Sequence, residues 1–157
     1  MAADETTTAL PNARGDRGAA VLRAIYALCL AGATYNHWSA IYRHGWLWDY
    51  GGYPRVSTTF WTMLGVVDPL AVLLLVRPRI GVVATVAIIV TDVVHNIAVI
   101  GHYFPPLLTA LATVPSLIAQ IVFMVFVLAT CRRAAMIRRV RASRPSVRRA
   151  FPAGERR

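Results

Sequence analysis

Residues 80–101 read IGVVATVAIIVTDVVHNIAVIG, and this stretch decides the fold class. The hydrocarbon core of a bilayer is about 30 Å thick and requires about 20 consecutive apolar residues in a helix, which this stretch supplies. Asp92 and His95 lie within it, although a charged side chain at the centre of a membrane costs at least about 2.5 kcal/mol. Such residues usually face a protein interior, so the stretch predicts a membrane helix with a functional face.

Three further apolar stretches, at residues 20–42, 58–76 and 106–131, have a similar length. Hydrophobic residues make up 57% of the 157 residues, above the roughly 45–50% of soluble domains. Consecutive helices joined by short connections pack as antiparallel neighbours. The sequence therefore predicts an all-α membrane protein, a four-transmembrane-helix up-down bundle over residues 20–131.

The charge distribution predicts the orientation of the bundle. All 17 basic residues are arginines, and ten of them lie in residues 132–157. Basic flanks favour the cytoplasmic side, so we expect both termini in the cytoplasm, with residues 1–19 as a disordered leader. The basic tail at residues 132–157 should contact anionic lipid head groups, and we expect no nucleic-acid partner. The absence of lysine is typical of a GC-rich genome and favours a bacterial cytoplasmic membrane.

Polar side chains recur on one face of each predicted helix. Lipid cannot satisfy their hydrogen bonds, so these faces should point inward. At 1.5 Å per residue the strongest candidates lie at comparable depths and should surround one cavity. We expect Asp68 or Asp92 to act as a proton donor and His37 or His95 as a base. The candidates for ligand contact are Asn36, Trp38, Trp61, Asn96 and Gln120.

A carboxyl and an imidazole facing one cavity can protonate one carbon of an alkene and remove a proton from the next. Aromatic faces such as that of Trp61 would stabilise the intermediate carbocation. The substrate would enter from the membrane as an isoprenoid or sterol-like lipid. The residues therefore predict lipid binding, with isomerase or cyclase activity that uses no cofactor, in a chain that is compatible with a homo-oligomer.

The motifs NHW at 36–38, LGVVDPL at 64–70 and DVVHN at 92–96, with a basic turn at 77–79, resemble the EXPERA group. That group contains the emopamil-binding sterol isomerases and related lipid-binding membrane proteins. The resemblance covers roughly residues 22–140 and implies the four-helix fold. Of the catalytic positions of that group, the resemblance implies a counterpart only for His37. The catalytic glutamates of the isomerases have no match, because no Glu lies between Glu5 and Glu155.

Other chemistries remain open from the sequence. His37 and His95 could be the two axial ligands of a haem in a redox subunit. Intramembrane Asp and His residues also mark proton or small-solute relays. No local metal-ligand motif is present, and we expect no metal site.

Two features bear on the shape of the cavity. Residues 43–57, RHGWLWDYGGYPRVS, predict either an aromatic belt at the outer membrane interface or a lid over a pocket. Pro69 should free the carbonyl of Gly65 and kink the second helix, since proline lacks the N–H that would bond to it.

Overall fold

The computed structural model of the protein describes residues 12–103 and 115–136, which form four helices. Their bounds are α1 Asn12–His44, α2 Arg55–Leu74, α3 Pro78–Tyr103 and α4 Pro115–Ala134. Each helix contains a segment long and apolar enough to cross a membrane, as expected of an integral membrane protein. The predicted all-α, four-helix architecture is confirmed.

The predicted boundaries need one correction. Residues 12–19 were expected to belong to a disordered leader, but they form the first turns of α1. Ala19 is buried, and Gly18 lies against the guanidinium of Arg133, so packing against the end of α4 holds this segment as helix. Residues 1–11, the tail from residue 137, and residues 106–114 of the fourth predicted span lie outside the described residues.

The helices form a closed ring in which α1 packs against α2 and α4, and α3 packs against α2 and α4. This is the up-down arrangement that the short connections predict. We call the end where α1 begins and α4 finishes the termini end. The opposite end, where residues 45–54 join α1 to α2, is the loop end.

Polar contacts join the first and last helices at the termini end. The Tyr26 hydroxyl is fully buried, lies 2.6 Å from Thr130 Oγ1, and donates to the Val127 carbonyl at 3.3 Å. One turn earlier, the Arg23 guanidinium donates to the carbonyl of Ala134 at 2.9 Å. That carbonyl is among the last of α4 and has no partner within the helix, so Arg23 caps the helix end.

A tight turn joins α2 to α3. Arg77 N–H donates to the Leu74 carbonyl at 2.9 Å, and Gly81 N–H donates to the Arg77 carbonyl at 2.9 Å. A Cβ on Gly81 would collide with the backbone of Leu74 and Leu75. Only glycine therefore allows α3 to approach the end of α2 so closely.

The carbonyl that Pro69 frees is used to join α1 to α2. The indole Nε1 of Trp38 donates to the Gly65 carbonyl at 2.9 Å. The missing side chain of Gly65 leaves room for this approach, since a Cβ there would already touch His37 and Ile41. The pairing satisfies a carbonyl that a membrane could not hydrate.

Candidate functional site

A cavity of about 300 Å³ lies between the helices near the loop end. This volume is at the lower limit for small-molecule sites, which range from about 300 to 1,000 Å³. All four helices and the α1–α2 connection contribute to its lining. The described lining residues are His37, Tyr50, Tyr53, Trp61, Asp92, Asn96, Val99, Ile100, Ser116, Leu117 and Gln120.

Asn96 organises one side of the cavity, which we call the polar wall (Asp92, Asn96 and Gln120). Its side-chain oxygen accepts from Trp61 Nε1 at 2.8 Å. Its amide nitrogen donates to Asp92 Oδ1 at 2.8 Å and to Gln120 Oε1 at 2.9 Å. Both amide hydrogens are thereby used. A single buried amide thus connects α2, α3 and α4 and fixes the orientation of the Asp92 carboxyl.

His37 reaches the same cavity from α1. Its Nε2 lies 4.0 Å from Oδ2 of Asp68, too long for a hydrogen bond but close enough for an ion pair when the imidazole is protonated. The Asp68 side chain is only 3% exposed and does not line the cavity. Asp68 is therefore placed behind His37, where its negative charge would stabilise an imidazolium.

The four predicted acid–base residues divide into two groups. Asp92 and His37 line the cavity, whereas Asp68 and His95 do not. His95 instead lies between α2 and α3, with its ring centroid 4.2 Å from that of Phe60 and 5.8 Å from that of Trp61. Its Nε2 is buried without a hydrogen-bond partner among the described residues.

The predicted ligand-contact residues also divide. Trp61, Asn96 and Gln120 line the cavity. Asn36 is exposed on the outer face of α1, because it lies about 100° around the helix from His37. Trp38 contributes its indole N–H to the α1–α2 contact and does not line the cavity.

Two tyrosines of residues 45–53 and one tryptophan of α2 form an aromatic side of the cavity, which we call the aromatic wall (Tyr50, Tyr53 and Trp61). The Tyr50 ring centroid is 5.0 Å from that of Trp61, and the Tyr53 centroid is 5.2 Å from it, both in edge-on geometry. Burial raises the pKa of the Tyr50 hydroxyl, which keeps it neutral. Tyr50 and Tyr53 of this segment thus line the cavity, whereas Trp46 is exposed.

The backbone of this segment is strained where it delivers Tyr50. Tyr50 has φ 52° and Leu47 has φ 59°, the left-handed region that costs a non-glycine residue roughly 1–2 kcal/mol. Gly51 and Gly52 follow with φ 87° and 105°. The Asp49 carboxylate accepts from Gly51 N–H at 3.0 Å and helps to hold the turn.

Sequence reasoning missed the apolar lining residues Val99, Ile100 and Leu117. The first two follow Asn96 at i+3 and i+4, and Leu117 precedes Gln120 by three, so all share a helix face with a predicted polar residue. Helical spacing from those polar positions is the signal that would have found them.

Among the residues in the two described segments, no three His, Cys, Asp or Glu side chains come together as a metal site. No family model matches the chain, and neither the curated proteins nor the solved structures contain a match to it.

Proposed function

We propose that the protein is an integral membrane protein whose cavity binds an isoprenoid or sterol-like lipid and isomerises or cyclises it by acid–base chemistry. One observation carries the proposal: Asp92 of α3 and His37 of α1 line the same small cavity. A donor and an acceptor of protons on different helices can act on neighbouring carbons of one bound alkene.

The geometry supports a division of roles. Asp92 would deliver the proton, because Asn96 fixes its Oδ1 and so orients the carboxyl. His37 would remove the second proton, and Asp68 would stabilise the imidazolium that results. The face of Trp61 would stabilise positive charge on the substrate between the two steps. The substrate gains one proton from Asp92 and loses one to His37, so its proton count does not change.

The apolar part of the lining favours a substrate that is dissolved in the membrane. Val99, Ile100 and Leu117 have side chains that make no hydrogen bonds, and the helices around them are long and apolar enough to cross a membrane. Arg77 and Arg79, with Arg132 and Arg133 of α4, lie at the termini end, which favours both termini in the cytoplasm. The absence of lysine favours a bacterial cytoplasmic membrane. The tail would contact anionic lipid head groups there.

The arrangement gives less support to the other chemistries. His37 faces the cavity and His95 faces the contact between α2 and α3, so the two imidazoles do not face one haem-sized space. A proton relay would use the same Asp68, His37 and Asp92 groups without a lipid substrate. It predicts proton flux across vesicles that contain the protein alone.

The test uses the full-length protein in lipid nanodiscs in D₂O, with phytol, cholesterol and menaquinone as separate probes. A positive result is deuterium at carbon in a recovered probe, measured by mass spectrometry, because protonation and deprotonation exchange hydrogen at neighbouring carbons. Asp92→Asn should abolish this uptake, and the exposed Asn36→Ala should leave it unchanged. Equal uptake in wild type and Asp92→Asn would contradict the proposal.

A further inference from the structure

We propose that the cavity receives the oxygen-bearing head of its lipid, a hydroxyl or carbonyl, and that the hydrocarbon tail extends outside it. This inference rests on the proposed function and names the end of the ligand that the site recognises. Two observations support it: the polar atoms of the polar wall that are not used within the wall, and the small volume of the cavity.

The hydrogen bonds of Asn96 determine which polar atoms remain for a ligand. Asn96 uses its oxygen for Trp61 and both amide hydrogens for Asp92 and Gln120. Gln120 accepts through Oε1, which leaves its Nε2 as a donor. Asp92 accepts through Oδ1, which leaves Oδ2. Neither remaining atom has a hydrogen bond to another described residue.

The proposed function requires a protonated Asp92, so the cavity offers two donors, the Gln120 amide and the Asp92 carboxyl. The oxygen of a hydroxyl or a carbonyl can accept from both. A hydrocarbon offers no acceptor and would leave both donors desolvated without a partner in the ligand. The cost of that desolvation favours a ligand with an oxygen function.

The volume excludes full enclosure of a long lipid. At about 300 Å³ the cavity is at the lower limit of sites that enclose drug-sized molecules. A twenty-carbon or larger lipid must therefore leave part of its length between the helices or in the membrane. The polar wall lies inside the cavity, so the polar end is the part that gains most from entering.

The described lining is unsuited to an anionic head. It contains no arginine, and His37 is its only basic side chain, already facing the carboxylate of Asp68. A phosphate would therefore enter the lining without a free counter-charge. The ligand head is accordingly a neutral oxygen group rather than a phosphate or diphosphate.

The experiment compares matched pairs of ligands that differ in the oxygen. The alcohol and the hydrocarbon of each pair, phytol with phytane and cholesterol with cholestane, compete for the full-length protein in nanodiscs. The ratio of their affinities is measured. We expect at least one alcohol to bind about tenfold or more tightly than its hydrocarbon, since two hydrogen bonds are lost together. Equal binding within both pairs would overturn this inference while leaving the lipid cavity in place. No binding by any of the four would refute the proposed function as well.

Gln120→Met tests the donor. Methionine has a similar length, and its sulfur is only a weak acceptor and has no N–H group. The alcohol preference should fall about three- to tenfold, with little change in hydrocarbon binding. Asn36→Ala, on the outer face of α1, is the control and should keep the full preference. An unchanged preference in Gln120→Met would remove Gln120 from the recognition of the head.

Discussion

Replacing Asn96 should destabilise the bundle more than replacing any one of its partners. Asn96→Leu is close in volume and removes three hydrogen bonds, to Trp61, Asp92 and Gln120. Interhelical hydrogen bonds in membrane proteins contribute about 0.6 kcal/mol each on average, so the direct loss is about 2 kcal/mol. Asp92 is buried and would lose a partner without Asn96, which makes this figure a lower limit. Gln120→Leu removes only one of the bonds at similar volume and should cost about 0.6 kcal/mol.

The assay is reversible unfolding in mixed detergent micelles, followed by far-ultraviolet circular dichroism as the fraction of denaturing detergent increases. Asn36→Leu provides the control, because it makes the same substitution on the exposed face of α1 and should change stability by less than about 0.5 kcal/mol. The reasoning is refuted if Asn96→Leu is no more destabilising than Gln120→Leu. That result would mean that the three bonds are not made together in the folded bundle.

Trp38→Phe should cost about 0.6–1 kcal/mol in the same unfolding assay. This cost should largely disappear in a Pro69→Ala background, because the new N–H of residue 69 can bond the Gly65 carbonyl within α2. Equal costs in both backgrounds would show that the indole bond does not replace the helical one. Gly81→Ala should destabilise the folded protein by roughly 1–3 kcal/mol, because the new Cβ meets backbone that cannot move without separating α3 from α2. An unfolding midpoint equal to that of the wild type would contradict the close approach of the two helices. An alkaline phosphatase reporter fused after Arg157 should be inactive, because that enzyme requires export; activity would reverse the predicted orientation.

The number and type of the helices follow from the length of apolar sequence, because only an α-helix satisfies every backbone group of a 20-residue segment in lipid. The freed Gly65 carbonyl was also predictable, since it is a direct consequence of the ring of Pro69. Its partner was not: Trp38 lies 27 positions earlier in the chain, and no local pattern relates the two.

Rotation of each helix about its axis is what the sequence left undetermined. His95 and Asn96 follow Asp92 by three and four residues. Around the helix axis they therefore lie about 60° to one side of Asp92 and about 40° to the other. A face of that width can meet two neighbours at once. In the structure Asn96 lines the cavity and bonds Gln120 of α4, whereas the His95 ring packs against Phe60 outside the cavity. Spacing alone had placed both residues in one cavity. The same difference of one position separates the exposed Asn36 from His37.

The Asn96 contacts have a consequence for biosynthesis. Gln120 and Thr130 belong to α4, the last helix of the bundle to leave the ribosome, yet they bond Asn96 of α3 and Tyr26 of α1. The earlier helices therefore enter the membrane with polar groups whose partners have not yet been made. We expect a nascent chain truncated before α4 to be held by the insertion machinery or degraded. The protein would then become stable in the cell only once its last helix has been synthesised.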